Sequence, residues 1–130
     1  MIKYRVFNQK MINLITNSSY KVPDVVIISC GTNDFTDSVG TPSSVFDGLD
    51  FTTLASGDTR LQNLSGGLRY STDKILQNYP NVQIILVCPI QRGIIDNSKI
   101  FEISDIIIKC ASYLSVEFID QARKSGIYSY

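Results

Sequence analysis

Three short apolar runs divide the chain and predict β-strands. They are "DVVIISC" (24–30), "VQIILVCP" (82–89) and "VEFID" (116–120). Continuous aliphatic and β-branched runs of this length, without polar alternation, are typical of parallel strands that are buried on both faces. The pattern therefore predicts a parallel sheet with helices on both of its faces.

Helical periodicity fills both intervals between these runs. In the first interval the apolar spacing predicts a helix over about 68–79, and the glycines in "SGG" (65–67) predict a turn or helix break before it. In the second, an apolar stripe follows a possible cap at Asn97 or Ser98; its members are Ile100, Ile103, Ile107, Cys110 and Leu114. The order β-α-β-α-β predicts an α/β fold whose consecutive strands are neighbours.

The amino-terminal segment fits two patterns, and both stay open. Residues 2–6 alternate apolar and charged side chains, as a strand with one buried face would. The stretch "YRVFNQKMINLI" equally well places Phe7, Met11 and Leu14 on one face of a helix over about 5–16.

Composition and charge narrow the possible partners. The chain has 130 residues, enough for a single domain, and its 12 Lys and Arg balance its 12 Asp and Glu. We therefore expect no nucleic-acid partner, because a basic surface is the usual signature of one. Apolar runs are far shorter than the roughly 18 residues of a membrane helix, and the amino terminus has no apolar signal-peptide core. The chain reads as soluble, and its localisation is not predicted.

Cysteine and histidine usage limits the chemistry. The three cysteines, Cys30, Cys88 and Cys110, lie within apolar segments, which predicts reduced, buried thiols. Histidine is absent from the sequence, so no mechanism of this chain alone uses an imidazole as a proton shuttle or as a metal ligand. We expect no metal and no cofactor.

A polar turn and a long loop follow the first predicted strand. The turn is "GTND" (31–34), and residues 34–59 are rich in Ser, Thr, Gly and Asp. Open α/β sheets bind ligands beyond the carboxyl ends of their strands, so the loop predicts a crevice there. The alternative is that Asn33 and Asp34 cap a turn and that the loop is a surface excursion.

These features resemble the SGNH (GDSL-type) hydrolases. "PDVVIISCGTNDF" is similar to their block in which a strand ends in Gly-x-Asn-Asp, and "YPNVQIILVCPIQRG" and "YLSVEFIDQARKSGI" are similar to the strands that follow. The resemblance covers 23–128 and implies a flavodoxin-like three-layer α/β/α sandwich. It also implies cleavage of a small-molecule, carbohydrate or lipid ester. In that role Asn33 would donate a hydrogen bond to the oxyanion, with Thr32 and Phe35 beside it as substrate-binding residues.

The sequence departs from that family at two motifs. It has neither the Gly-Asp-Ser nucleophile motif nor the Asp-x-x-His motif, and "SGDTR" (56–60) has Thr59 where a serine would stand. We interpret Gly57-Asp58-Thr59 as a loop. Cys30 is a possible substitute nucleophile, but a thiol without histidine needs a nearby cation or helix amino terminus, and the sequence shows none beside it.

Residues 1–130 are therefore predicted to form one partial SGNH-like domain that is inactive by itself. One alternative is a non-catalytic binding or assembly module on the same scaffold. Another is an unrelated flavodoxin-like domain that binds a phosphate-bearing ligand, although no Gly-rich loop leads from a strand into a helix.

Assembly follows from the strand that would precede 24–30 in such a fold. Without that strand, 24–30 has an unpaired edge, and unpaired edges recruit other strands. We expect either residues 2–6 to pair with this edge or, if 5–16 is helical, a homodimer with the 24–30 edge and the helix at its interface.

Overall fold

The chain forms a parallel α/β sheet, as the computed structural model shows for residues 13, 17, 21–32, 40–55, 57–93 and 96–127. Strand β1 spans Val25–Ser29, β2 spans Gln83–Val87 and β3 spans Glu117–Ile119. The strand order is β1-β2-β3, and both pairs are parallel. The three predicted strands and their neighbour relation are confirmed, each strand being shorter than predicted.

The two faces of the sheet differ in burial. Because side chains alternate along a strand, in-register pairing puts alternate residues of all three strands on one face. On the face that includes Ile28 and Leu86 these two side chains are buried, whereas Phe118 of β3 is 44% exposed. On the opposite face Val25, Ile27 and Ile119 are 46%, 63% and 48% exposed. The prediction that these strands are buried on both faces is therefore wrong for β1 and β3.

Four helices with described bounds accompany the strands, and the described residue Asn13 is also helical. Helix α1 spans Pro42–Val45, α2 spans Leu64–Asn78, α3 spans Ser98–Leu114 and α4 spans Gln121–Lys124. The predicted positions of α2 and α3 are confirmed, and Asn97 is the residue before α3. No helix in these ranges is long and apolar enough to cross a membrane.

Helix α2 begins earlier than its sequence pattern predicts. The side chain of Asn63 caps it, since Oδ1 accepts a hydrogen bond from the Gly66 N–H at 2.8 Å. A Cβ on Gly66 would lie 1.7 Å from the carbonyl oxygen of Arg60, so the preceding turn crosses the helix at a point that only glycine leaves open. The prediction of a turn or helix break at 65–67 is therefore wrong, since these residues lie in the first turn of α2 and Gly66 is needed there for the contact with Arg60.

Both long helices pack on the same face of the sheet. Leu68 and Ile75 of α2 and Ile103 and Ile107 of α3 share one buried cluster with Leu86 of β2. Within the described residues both long helices therefore lie on one face, and a helix layer on the opposite face stays a prediction. The strand order β1-β2-β3 runs in one direction across the sheet, so two crossover connections of the same hand place both helices on the same face.

The segment between β1 and α2, predicted as a loop, is partly regular and has its own small core. It contains α1 and two 3₁₀ turns at 51–53 and 59–61. Val45, Phe51 and Leu61 are buried together as a second cluster. The described part of this segment therefore packs against the helices instead of projecting into solvent.

Arg69 of α2 fastens this segment to the helix layer. Its guanidinium donates hydrogen bonds to the carbonyl oxygens of Val45 and Leu49. The same group lies 4.2 Å from the centre of the Phe51 ring and 3.4 Å from a carboxylate oxygen of Asp73. One arginine thus satisfies two backbone acceptors and packs on the apolar cluster.

Candidate functional site

The chain turns sharply where β1 ends at the carboxyl edge of the sheet. Gly31 is buried with φ +93°, a conformation that glycine adopts without strain. A Cβ at this position would lie 2.7 Å from Cγ2 of Ile103 and 3.1 Å from Cδ1 of Ile107. The backbone therefore passes close over α3, and the next residue, Thr32, emerges exposed at the edge.

Thr32 is the one predicted site residue within the described ranges. Its carbonyl oxygen accepts a hydrogen bond from Nη1 of Arg92 at 3.2 Å. Asn33 and Phe35 lie outside the described residues, so their predicted roles stay predictions. The contact joins the turn after β1 to the loop that follows β2.

The loop after β2 is held by a buried asparagine. Oδ1 of Asn97 accepts from the Arg92 backbone N–H at 2.8 Å, and Nδ2 of Asn97 donates to the Arg92 carbonyl at 3.0 Å. Asp96 accepts from the N–H and the hydroxyl of Ser98 at the start of α3, and these bonds lower the pKa of Asp96. The backbone N–H and the carbonyl of Arg92 are therefore both hydrogen-bonded to Asn97, which fixes the point from which the Arg92 side chain extends.

Sequence reasoning considered Asn97 only as a helix cap and did not identify Arg92. Arg92 follows "VCPIQ" at the carboxyl end of a buried strand, the position where open α/β sheets place ligand-binding side chains. The rule that ligands bind beyond the carboxyl ends of parallel strands was applied to the first strand only, and its application to the second strand would have identified Arg92.

The end of β3 adds a buried carboxylate to the same edge. Asp120 is 6% exposed, and its Oδ2 accepts from Nη1 of Arg123 at 2.9 Å. Its Oδ1 is buried without a hydrogen-bond partner among the described residues. Nε2 of Gln91 donates to the Ala122 carbonyl at 2.8 Å, which ties the loop after β2 to α4.

The three cysteines are free thiols with little tendency to ionise. Burial is the main cause that raises the pKa of Cys30 to about 12 and the pKa values of Cys88 and Cys110 to about 11. Cys30 and Cys88 directly follow the paired residues Ser29 and Val87. Burial and the two neighbouring thiols therefore favour the protonated form of Cys30, which disfavours a role as a nucleophile.

The Gly57-Asp58-Thr59 sequence is structural, as predicted. Asp58 accepts from the backbone N–H of Arg60 at 2.9 Å and from its guanidinium at 2.9 and 2.6 Å. These hydrogen bonds lower the pKa of Asp58 to about 2. Thr59 begins a 3₁₀ turn and is not presented as a nucleophile.

No metal-binding cluster in the described ranges and no match to a known protein indicates a function for the carboxyl edge of the sheet. The described ranges contain no group of three or more Cys, Asp or Glu side chains that could hold a metal ion. Comparison of the chain with family models, with curated proteins and with solved structures finds no match.

Proposed function

We propose that this chain carries the scaffold and the oxyanion-binding turn of an SGNH-type ester hydrolase. The observation that carries the proposal is the turn at Gly31, which brings the chain out at the carboxyl edge immediately before Asn33. In this proposal the side-chain amide of Asn33 donates to a developing oxyanion, and Thr32 and Phe35 contact the substrate. The substrate class is a small-molecule, carbohydrate or lipid ester, and no cofactor takes part.

The parallel sheet supports the fold that this proposal needs. Three consecutive parallel strands with helices between them are common to flavodoxin-like proteins. We propose that the complete domain is a three-layer α/β/α sandwich. In this proposal Arg92 holds the turn through the Thr32 carbonyl, which fixes the position from which Asn33 would donate.

Turnover by this polypeptide alone is not expected. The sequence has no Gly-Asp-Ser motif and no histidine, and a donor without a nucleophile and a base supplies only a small part of hydrolytic catalysis. The purified chain should hydrolyse short-chain nitrophenyl esters at the rate of buffer. Saturable turnover that persists through repurification and disappears in Asn33→Ala would show that the chain is a complete enzyme.

Binding of a carboxylate product tests the oxyanion assignment directly. Butyrate resembles the acid product of ester cleavage, so its titration should shift the side-chain amide resonances of Asn33 saturably in NMR spectra. Asn33→Asp, which replaces the donor by an acceptor, should abolish the saturable shifts of neighbouring backbone amides. The matched variant Asn17→Asp, at an exposed position, should leave them unchanged. Unchanged Asn33 resonances at saturating butyrate would contradict the proposal.

The second candidate is a non-catalytic binding or assembly module on the same scaffold. The observation that favours it is the absence of the serine motif and of histidine from the sequence. Saturable binding of a ligand at the carboxyl edge, together with ester turnover equal to buffer in every sequence context tested, would select this candidate over an incomplete enzyme.

We also propose a homodimer that uses the free edge of β1. Within the described residues β1 is the terminal strand of the sheet, and an unpaired edge recruits a second strand. Light scattering at micromolar concentration should give about twice the 14.5 kDa chain mass. Val26→Asp, on this strand, should disrupt folding and association, whereas Val22→Asp, outside the strand and 65% exposed, should preserve both. A folded monomer at high concentration would contradict the dimer.

A further inference from the structure

The bend that follows α1 contains two neighbouring residues that can react with each other. Asp47 and Gly48 form the only Asp-Gly pair of the sequence, which contains no Asn-Gly pair. Both residues are exposed and lie outside helices and strands. The amide nitrogen of a glycine is reached more easily than that of any other residue, because no side chain shields it. This pair is therefore the position at which a backbone nitrogen of this chain most readily attacks the preceding carboxyl group.

The surroundings of the pair leave room for this reaction. A Cβ at Gly48 would meet nothing within 4 Å, and the φ of +90° is one that glycine adopts without strain. Among the described residues no acceptor binds the Gly48 N–H. The Asp47 side chain is 44% exposed, and its Oδ1 accepts a hydrogen bond from the Leu49 N–H at 3.2 Å. Neither reacting group is enclosed by packing.

The reaction is an isomerisation that needs only water. The Gly48 nitrogen attacks Cγ of the protonated Asp47 carboxyl group, an N–Cγ bond forms, and the hydroxyl leaves as water with the proton of the nitrogen. Water then opens the cyclic imide at one of its two carbonyl carbons. Opening at Cγ restores aspartate, whereas opening at the main-chain carbonyl carbon leaves the chain running through Cβ and Cγ, as isoaspartate. One water is lost and one is regained, so mass and oxidation state do not change.

Isoaspartate at position 47 changes the spacing of two acceptors that a single arginine binds. The guanidinium of Arg69 donates hydrogen bonds to the carbonyl oxygens of Val45 and Leu49, which lie on either side of the pair. It also lies 3.7 Å from Oδ1 of Asp47. Isoaspartate lengthens the main chain between the two acceptors by one C–C bond, about 1.5 Å, and moves the carboxylate onto Cα. We therefore expect at least one of the two hydrogen bonds to be lost.

The same hydrogen bonds slow the reaction in the folded chain. Closure of the imide ring rotates the main chain between Asp47 and Gly48, and Arg69 fixes this part of the chain on both sides. The reaction therefore proceeds from a locally opened state in which Arg69 has released the bend. Openings of this kind cost less free energy than global unfolding, because they break few contacts.

We propose that Asp47 is a site of spontaneous isoaspartate formation through Gly48, that Arg69 restrains the reaction, and that isomerisation in turn loosens the segment 42–61 from α2. This inference is independent of the proposed ester chemistry. Because the reaction needs only water, the isomerised fraction should increase with the age of the protein.

Mass spectrometry of the aged chain tests the site. The purified protein is kept for weeks in warm neutral buffer and digested, and its peptides are fragmented by electron transfer, which distinguishes isoaspartate from aspartate. We expect isoaspartate at Asp47 and several-fold less at Asp50 and Asp58, which precede residues with side chains. Asp47→Glu should abolish the product, because closure would need a larger ring. The matched variant Asp105→Glu, on α3, should leave the rate at Asp47 unchanged.

A second variant tests the restraint by Arg69. Arg69→Lys replaces the planar fork of donors by a single ammonium group, so isoaspartate should form at Asp47 several-fold faster. The matched variant Arg123→Lys, on α4, should leave this rate unchanged. Circular dichroism checks that both variants are folded. If Arg69→Lys has lost its fold, the isomerised wild-type chain decides the matter by hydrogen exchange.

Hydrogen exchange of the isomerised wild-type chain, separated by chromatography, tests the loosening of the segment. The Leu54 N–H donates to the Phe51 carbonyl within the segment, and the Cys88 N–H donates to the Ile119 carbonyl in the sheet. Isomerisation should accelerate exchange several-fold at Leu54 and leave it unchanged at Cys88.

Three results would overturn the proposal. The first is an aged chain without isoaspartate at Asp47 when the peptide VFDGLDF, incubated in parallel, forms it. The second is the same amount of isoaspartate at Asp47, Asp50 and Asp58. The third is an isomerised chain whose Leu54 exchanges at the unmodified rate.

Discussion

Alanine substitutions at Gly31 and Gly48 form a matched pair that measures how closely the turn after β1 packs against α3. Both have positive φ, +93° and +90°. A Cβ on Gly31 would meet Ile103 and Ile107 at 2.7 and 3.1 Å, whereas a Cβ on Gly48 would meet nothing within 4 Å. Alanine at the two positions therefore causes the same backbone strain, and only at Gly31 does it add a clash with a buried helix.

The expected magnitudes follow from these two terms. A left-handed conformation costs a non-glycine residue about 1–2 kcal/mol. Overpacking of a closed interior costs about 1–3 kcal/mol more, and Ile103 and Ile107 are both fully buried and unable to withdraw into solvent. Gly48→Ala should thus lower the free energy of unfolding by about 1–2 kcal/mol, and Gly31→Ala by about 2–5 kcal/mol.

Urea unfolding followed by far-ultraviolet circular dichroism measures both values. With a slope of about 2 kcal/mol per molar urea, the midpoint should fall by about 0.5–1 M for Gly48→Ala and by about 1–2.5 M for Gly31→Ala. Gly93→Ala, at a glycine with neither positive φ nor a close neighbour, should change the midpoint little. Equal midpoints for Gly31→Ala and Gly48→Ala would refute the close approach of the turn to α3.

Three further substitutions or conditions test other contacts. Arg69→Met should destabilise the chain by about 2–4 kcal/mol in urea unfolding, because two backbone acceptors lose a charged donor, whereas Lys99→Met, in an exposed ion pair, should change stability by less than about 1 kcal/mol. Asn97→Ala should cost about 1–3 kcal/mol and Asn78→Ala, at an exposed position, much less, as thermal unfolding would show. Raising the pH above about 9 should lower the free energy of unfolding, because the thiols of the unfolded chain ionise there while Cys88 and Cys110 in the folded chain keep their protons up to about pH 11. Each of these thiols lowers the free energy of unfolding by up to about 1.4 kcal/mol per pH unit in this range. Cys110→Ala should therefore make the decline less steep.

Local sequence patterns predicted the secondary structure because local physics determines most of it. The run from Val25 to Ile28 has no polar interruption and is flanked by Asp24 and Gly31, so its position is evident from the local sequence. Helix α3 likewise follows from its apolar stripe and from the polar residues before it. These elements and their order were accessible without the structure.

Features that depend on specific contacts between neighbouring elements were not predictable in this way. Helix α2 begins at Leu64 because the Asn63 side chain caps it, and Gly66 leaves room for the Arg60 carbonyl of the preceding turn. Arg69 of α2 donates a hydrogen bond to the Val45 carbonyl, which ties α1 to a helix residue 24 positions further along the sequence. No periodicity within either segment contains that information.

The candidate site was predicted from one strand, whereas the structure builds it from several. The glycine turn identified the end of β1, but the partner of Thr32 is Arg92, which is sixty residues away in the sequence. The buried carboxylate of Asp120 comes from a third strand end. A motif identifies the strand that carries it, and only the sheet order shows which other loops meet it.

The position of the proposed oxyanion donor depends on how well β1 is held. Within the described residues β1 pairs with β2 alone, and its side chains at Val25 and Ile27 have no cover. A strand with one paired edge and one exposed face opens at a lower free energy than a central strand, because fewer contacts are lost when it separates. A second copy of the chain at the free edge would raise that opening free energy. Since β1 leads directly into Gly31 and Thr32, pairing at this edge would also stabilise the turn that precedes Asn33. Hydrogen exchange at the amides of β1 should therefore slow with increasing protein concentration if the dimer forms, and unchanged exchange across the dimer's concentration range would contradict it.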